Sequence, residues 1–181
     1  MLHTLVILVE DKPGVLNRVA SLFRRRAFNI ESLTVGHTDT EGLSRMTVTV
    51  EGDDQHIERL SSYLYKLVNV IQVEDLTSKR MVSRDLALIK VSTVSEKRAE
   101  IFQMVEVFRA RVIDVTSSSL IIEITGDGSK IDGFVDVLRS LGIIEMVRTG
   151  AVAMERGSES LVNSANGIRD YSESVFEALA A

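Results

Sequence analysis

One stretch of the chain combines residue types and spacing suited to holding a small zwitterion: Asp11-Lys12-Pro13-Gly14-Val15-Leu16. An apolar run precedes it and a helical periodicity follows, so it reads as a strand-to-helix turn. At a helix start the backbone N–H groups lack intrahelical acceptors. Those of Gly14, Val15 and Leu16 are placed to hold a carboxylate, helped by the positive end of the helix dipole. Gly14 has no Cβ, which lets a ligand approach the backbone. Asp11 offers an acceptor to an ammonium group, and Asn29, at the start of the next strand, offers both donor and acceptor. Charge-assisted hydrogen bonds contribute roughly 1.5–3 kcal/mol each. Two or three of them suffice for a Kd between about 1 mM and 1 μM. A proline-glycine helix start that binds nothing is at least as common, so the turn alone leaves both readings open.

Other chemistry is scarce. His3, His37 and His56 fall on a strand end, a strand–turn junction and a helix start. None has the spacing of a metal pair or a neighbouring nucleophile, so each is expected to be an ordinary surface or edge residue, with no metal and no catalytic group. Ser117-Ser118-Ser119 suits a hairpin turn. Gly126-Asp127-Gly128-Ser129-Lys130 lacks Walker spacing and suits a turn plus a helix cap. Arg24, Arg25 and Arg26 suit the negative end of a helix dipole. The absence of cysteine excludes disulfides, thiolate catalysis and cysteine metal sites.

The elements that position the turn follow from periodicity. Thr4–Glu10 is a strand apolar on both faces, and Val15, Leu16, Val19, Leu22 and Phe23 mark a helix. Pro13, the one proline, sits at that helix start, where a missing N–H costs nothing. Strands at 30–37 and 43–50 follow, the latter half-exposed by its alternation. Asp53 or Asp54 can cap a helix carrying Ile57, Leu60 and Leu64, and a strand at 70–76 closes the unit. The pattern then repeats: strand 86–94, helix 99–108, strands 112–116 and 120–125, helix 131–141, strand 143–153. Gly52-Asp53 matches Gly126-Asp127 before the second helix of each half. The fold class is therefore α+β, two tandem ferredoxin-like βαββαβ domains. The expected boundaries are 1–77, a polar linker 78–85, and 86–156. Residues 157–181 form a tail, a flexible stretch followed by a short amphipathic helix at Ile168, Tyr171, Val175 and Leu179.

Two small cores in 181 residues favour oligomerisation. A net charge of −5 argues against a nucleic-acid partner, which needs a basic surface. The apolar runs are strand-length, so no membrane span or signal peptide fits, and a cytoplasmic protein is expected.

Glu10-Asp11-Lys12-Pro13-Gly14-Val15-Leu16-Asn17-Arg18 resembles the opening of an ACT domain, a βαββαβ module that senses small metabolites. With Phe28-Asn29-Ile30-Glu31-Ser32-Leu33, Ser44-Arg45-Met46-Thr47 and Lys66-Leu67-Val68-Asn69-Val70, the resemblance narrows to the small regulatory subunits of acetolactate synthase. Val107-Phe108-Arg109-Ala110-Arg111-Val112-Ile113-Asp114-Val115 and Arg148-Thr149-Gly150 resemble that family's C-terminal, ACT-like domain. The likeness spans about 1–157. It implies no catalysis on this chain, but a catalytic partner using thiamine diphosphate, Mg²⁺ and FAD to condense 2-oxo acids. It also implies feedback inhibition by a branched-chain amino acid, usually valine, and a homodimer formed by joining N-terminal sheets. Carried over by position, the effector contacts are Asp11, Gly14, Val15 and Leu16 of one chain with Asn29 and Ile30 of its mate. Many relatives carry Asn at the position of Asp11. A carboxylate there grips ammonium more strongly but repels a ligand carboxylate.

Three other readings are weaker. A stand-alone ACT regulator of another enzyme keeps the same turn. An RNA-binding βαββαβ module needs stacking aromatics on its central strands, and 5–9 and 43–50 contain none. A stand-alone enzyme has neither clustered histidines nor a cofactor fingerprint.

Overall fold

The structure, a computed structural model, describes residues 1–93, 98–157 and Leu161. The first unit runs β1 (Leu2–Glu10), α1 (Val15–Arg25), β2 (Ile30–His37), β3 (Leu43–Glu51), α2 (Asp54–Leu64) and β4 (Val70–Asp75). The second runs β5 (Met81–Ser92), α3 (Arg98–Val107), β6 (Arg111–Val115), β7 (Ser119–Gly126), α4 (Gly128–Arg139) and β8 (Ile143–Arg148), followed by β9 (Val152–Glu155). The sheet orders are β2-β3-β1-β4 and β6-β7-β5-β8, antiparallel between neighbours, with β9 pairing β5. This is the duplicated ferredoxin-like α+β architecture expected from the periodicity.

The duplication extends to a fault in the ladder. The β1–β4 register shifts between Leu8 and Val9, and the β5–β8 register shifts at the equivalent step, between Lys90 and Val91. Aligning the two faults makes His3 equivalent to Asp85, Val6 to Leu88 and Asp75 to Arg148. The helix caps agree: Asp53 accepts the His56 N–H at 2.8 Å and Asp127 accepts the Lys130 N–H at 2.9 Å.

In the first unit Leu5, Ile7 and Val9 face a core with Val19 and Phe23 of α1 and Leu60 and Leu64 of α2. The alternate residues Val6 and Leu8 enter a second cluster with Leu43, Leu76, Ala153 and Leu161. Both faces of β1 are thus buried, which accounts for its unbroken apolar run. The half-exposed reading of β3 is corrected: Thr47 and Thr49 are buried, because the face assigned to solvent carries this second layer. In the second unit β5 alternates, with Ala87, Ile89 and Val91 packed on Ile101, Phe134 and Leu138 while Leu86, Leu88 and Lys90 are only partly covered.

Three further expectations change. The polar linker 78–85 does not hold, since β5 already begins at Met81 and Asp85 is buried against Arg148. The last strand is divided: Gly150 at φ 85° turns the chain between β8 and β9. Among the described residues, those from Ala153 onward group with the first unit, Met1–Val82, leaving Ser83–Val152 as the second. The helical spacing from Ile168 to Leu179 lies outside the described residues. Among the described residues, no helix is long and apolar enough to cross a membrane.

Candidate effector site

The turn after β1 is set by Pro13 and Gly14. Gly14 has φ 84° and ψ −4°, and the Val15 N–H reaches the Lys12 carbonyl at 3.3 Å. This is a type II turn with proline at its second position and glycine at its third, where a positive φ is required. The helix begins only at Val15, so Pro13 acts through the turn and not as the first helical residue. The donor set shifts accordingly. The Val15 N–H is committed to the turn and its side chain to the core. Among the described residues, the Leu16 and Asn17 N–H groups have no acceptor, nor does that of Gly14. Leu16 is exposed, and a Cβ built on Gly14 would meet nothing within 4 Å. The helix start is open to a ligand.

Asp11 is held where this opening begins. Its N–H donates to the Gly42 carbonyl at 2.8 Å, Ser44 Oγ donates to its Oδ1 at 3.3 Å, and its Oδ2 lies 3.2 Å from His37 Nδ1. His37 and Ser44 thus join the site, although neither stood out as a binding residue along the chain. A second group braces the turn from below. Arg18 Nη1 donates to Asn69 Oδ1 at 2.6 Å, Asn69 Nδ2 donates to Glu10 Oε2 at 2.6 Å, and Lys12 Nζ lies 3.0 Å from the same Glu10 oxygen. Asn69 is buried, so its amide fixes the spacing of β4 and the turn.

Asn29 and Ile30 are elsewhere. Ile30 pairs with Val50, which pairs with His3, whereas His37 pairs with Ser44, which pairs with Val9. Seven residues of extended strand, about 23 Å at 3.3 Å per residue, separate the two ends of β2. One chain therefore does not unite Asp11, Gly14 and Leu16 with Asn29 and Ile30. Asn29 donates to Glu31 Oε1, and Ile30 packs partly on the first core. The outer side of β2, an edge strand, has no strand neighbour among the described residues.

Comparison with known proteins covers both units. Residues 5–72 match the model described as AHAS small subunit-like ACT domain, and residues 84–157 match that of the small subunit of acetolactate synthase. The chain is 54% identical over 159 residues to a chain from Archaeoglobus fulgidus described as "Probable acetolactate synthase small subunit", covering 88% of this chain and 99% of that one. It is 48% identical to the acetolactate synthase small subunit of Mycobacterium leprae, covering 88% and 94%. The crystal structure of the acetolactate synthase small subunit from Thermotoga maritima superposes with a TM-score of 0.82 at 46% identity, covering 88% and 99%.

Proposed function

The chain belongs to the acetolactate synthase small-subunit family, and from that premise we propose that it activates a separate catalytic chain and confers feedback inhibition by a branched-chain amino acid, valine foremost. The observation that carries the effector site is the placement of its two halves at opposite ends of one edge strand. A second copy pairing its β2 antiparallel to the first would bring its Asn29 and Ile30 beside His37, Asp11 and the open helix start. In that seam the free N–H groups of Leu16 and Asn17 take the ligand carboxylate. Asp11 takes the ammonium, and Ile30 of the second copy meets the apolar side chain.

Thiamine diphosphate, Mg²⁺ and FAD belong to the catalytic partner in this reading, and the present chain contributes regulation alone. Its setting is the cytoplasm. The effector acts through linkage: binding across two chains favours one arrangement of the complex, with coupling typically about 1–3 kcal/mol. Discrimination among valine, leucine and isoleucine rests on about one methylene, worth roughly 1–3 kcal/mol.

The test is acetolactate formation by the catalytic subunit with and without this chain, across a valine titration. Activation with valine-dependent inhibition is expected; neither effect in the mixture would sink the proposal. Gly14→Asp should abolish inhibition and leave activation. Aspartate tolerates the left-handed backbone better than most residues, while its charge opposes the ligand carboxylate. Retained inhibition in this variant would remove the helix-start site.

A further inference from the structure

We propose that the pocket where the ends of α1 and α2 meet binds a small organic phosphate, at a site that shares no residue with the effector site. The pocket, ≈ 510 Å³, is lined by Leu22, Arg25 and Arg26 from the end of α1 and by Tyr63, Lys66 and Leu67 from the end of α2. Leu22 is buried and Tyr63 and Leu67 are half-buried, whereas Arg25, Arg26 and Lys66 are exposed. An apolar floor thus carries a cationic rim, in a concave space of the size that small molecules occupy. Among the described residues, no acidic side chain lines the pocket and none forms an ion pair with Arg25, Arg26 or Lys66.

The Arg26 guanidinium carbon lies 3.6 Å from the centroid of the Tyr63 ring, and Lys66 Nζ lies 5.2 Å from the same centroid. Stacking fixes the guanidinium plane and leaves its in-plane N–H groups free to donate as a fork. The ring attracts both cations but carries no net charge, so the two still repel each other. A shared anion relieves that repulsion.

Cations at a helix end ordinarily offset the helix dipole, which amounts to roughly half a negative charge per helix. Two helices therefore account for about one of the three positive charges and leave about two. A phosphate monoester carries about −1.5 to −2 charges near pH 7, which matches that surplus, and a carboxylate does not. Nor are the cations used up as caps. The Leu22, Phe23 and Arg24 carbonyls accept the N–H groups of Arg26, Ala27 and Phe28, and the Ser61, Tyr63 and Leu64 carbonyls accept those of Tyr65, Lys66 and Leu67. Among the described residues, Arg25 alone of the three cations donates to a helix carbonyl, from Nε to Ser21 at 3.3 Å.

The second unit dispenses with these charges. Ala27 and Arg109, both at positive φ, mark equivalent helix ends, and Asp53 and Asp127 are equivalent caps. By that match Val107, Phe108 and Ser140 stand where Arg25, Arg26 and Lys66 stand in the first. Two helices end there without the cations, so the fold does not require them.

The test is calorimetric titration of the full chain, at low salt, with phenyl phosphate, phenyl sulfate and inorganic phosphate. It is run at about pH 7.5, above the second phosphate pKa of about 6. Phenyl phosphate should bind saturably at one site. Phenyl sulfate, a monoanion of similar shape, should bind at least about tenfold more weakly, the weight of one charge-assisted hydrogen bond. Inorganic phosphate, which leaves the apolar floor uncovered, should also bind more weakly. Arg26→Gln and Lys66→Gln, at exposed side chains, should each lower the affinity for phenyl phosphate by a similar factor with the melting temperature little changed. Arg24→Gln, at an exposed neighbour outside the pocket lining, should leave affinity nearly unchanged. Absence of saturable binding, equal affinity for phenyl sulfate or inorganic phosphate, wild-type affinity in Arg26→Gln or Lys66→Gln, or an equal loss in Arg24→Gln would each overturn the site.

Discussion

Val6 in the first unit and Leu88 in the second occupy equivalent positions of the two sheets, yet Val6 is fully buried and Leu88 only partly. The difference comes from residues far along the chain. Leu76, Ala153 and Leu161 form the outer layer with Val6, Leu8 and Leu43. Polar groups complete it: Arg45 donates to the Ala153 carbonyl at 2.8 Å, and Lys79 pairs with Glu74 and Glu155. The hydrogen bonds to Glu155 and Glu74 push the Lys79 ammonium well above its ordinary range. No such layer is described over Leu86, Leu88 and Lys90. One topology thus supports two kinds of sheet, one buried on both faces and one that keeps an amphipathic face.

The comparison can be broken at its apolar layer first. Leu8→Ala should cost about 2–5 kcal/mol, as for a fully buried leucine, and Leu88→Ala about 1–2 kcal/mol, because part of that side chain already lies in water. Urea unfolding measures both, and equal losses would erase the distinction. Next comes the ionic corner. Arg148→Met leaves Asp85 buried without its cation and should cost about 3 kcal/mol. Arg148→Lys should recover only part, since one ammonium cannot serve both carboxylates as a planar fork does.

Acid should act on both units together. Asp53 and Asp127 are lowered chiefly by the cap N–H groups of His56 and Lys130, and Asp75 is lowered on balance despite its burial. A depressed folded-state carboxyl means the unfolded chain binds protons first. The stability is therefore fully present above the unfolded value of about 3.9 and is lost as pH falls through the lower folded values. The urea midpoint should decline across that window, and Asp75→Asn should flatten the decline. The smallest effect is expected where the units agree. Ala27 and Arg109 end α1 and α3 with φ of 57° and 52°. In each case the next N–H closes back on the helix: Phe28 on the Phe23 carbonyl at 3.0 Å and Ala110 on Val105 at 2.8 Å. Glycine at either position should raise stability by a few tenths of a kcal/mol, relief of strain being partly offset by unfolded-state entropy. Opposite signs at the two sites would show that the helix ends are not equivalent.

Much of the fold was legible because its signals are local. Val15, Val19, Leu22 and Phe23 report a helix within two turns, the strand at 30–37 ends where its turn residues begin, and Asp53 and Asp127 cap the helices that follow them. The turn at Pro13-Gly14 was legible as a turn, but its type was not, so the Val15 N–H was counted among the free donors and that of Asn17 was not. His3 was taken for an ordinary surface or edge residue because its neighbours, Leu2 and Thr4, say nothing of depth. The polar run at 78–85 resembled a linker because Asp85 looks solvated until Arg148, sixty-three residues away, is seen beside it.

Along the chain, residue types alone determined the element order, the duplicated topology and the helix start able to receive a carboxylate, since each depends on neighbours within a few bonds or turns. Register, depth and charge pairing were decided only in three dimensions. The end of β2 that meets Asp11, the second layer over β1, and the contact of buried His3 with Asp75 all arise from strands paired across long separations. No local pattern encodes which distant residue will stand opposite.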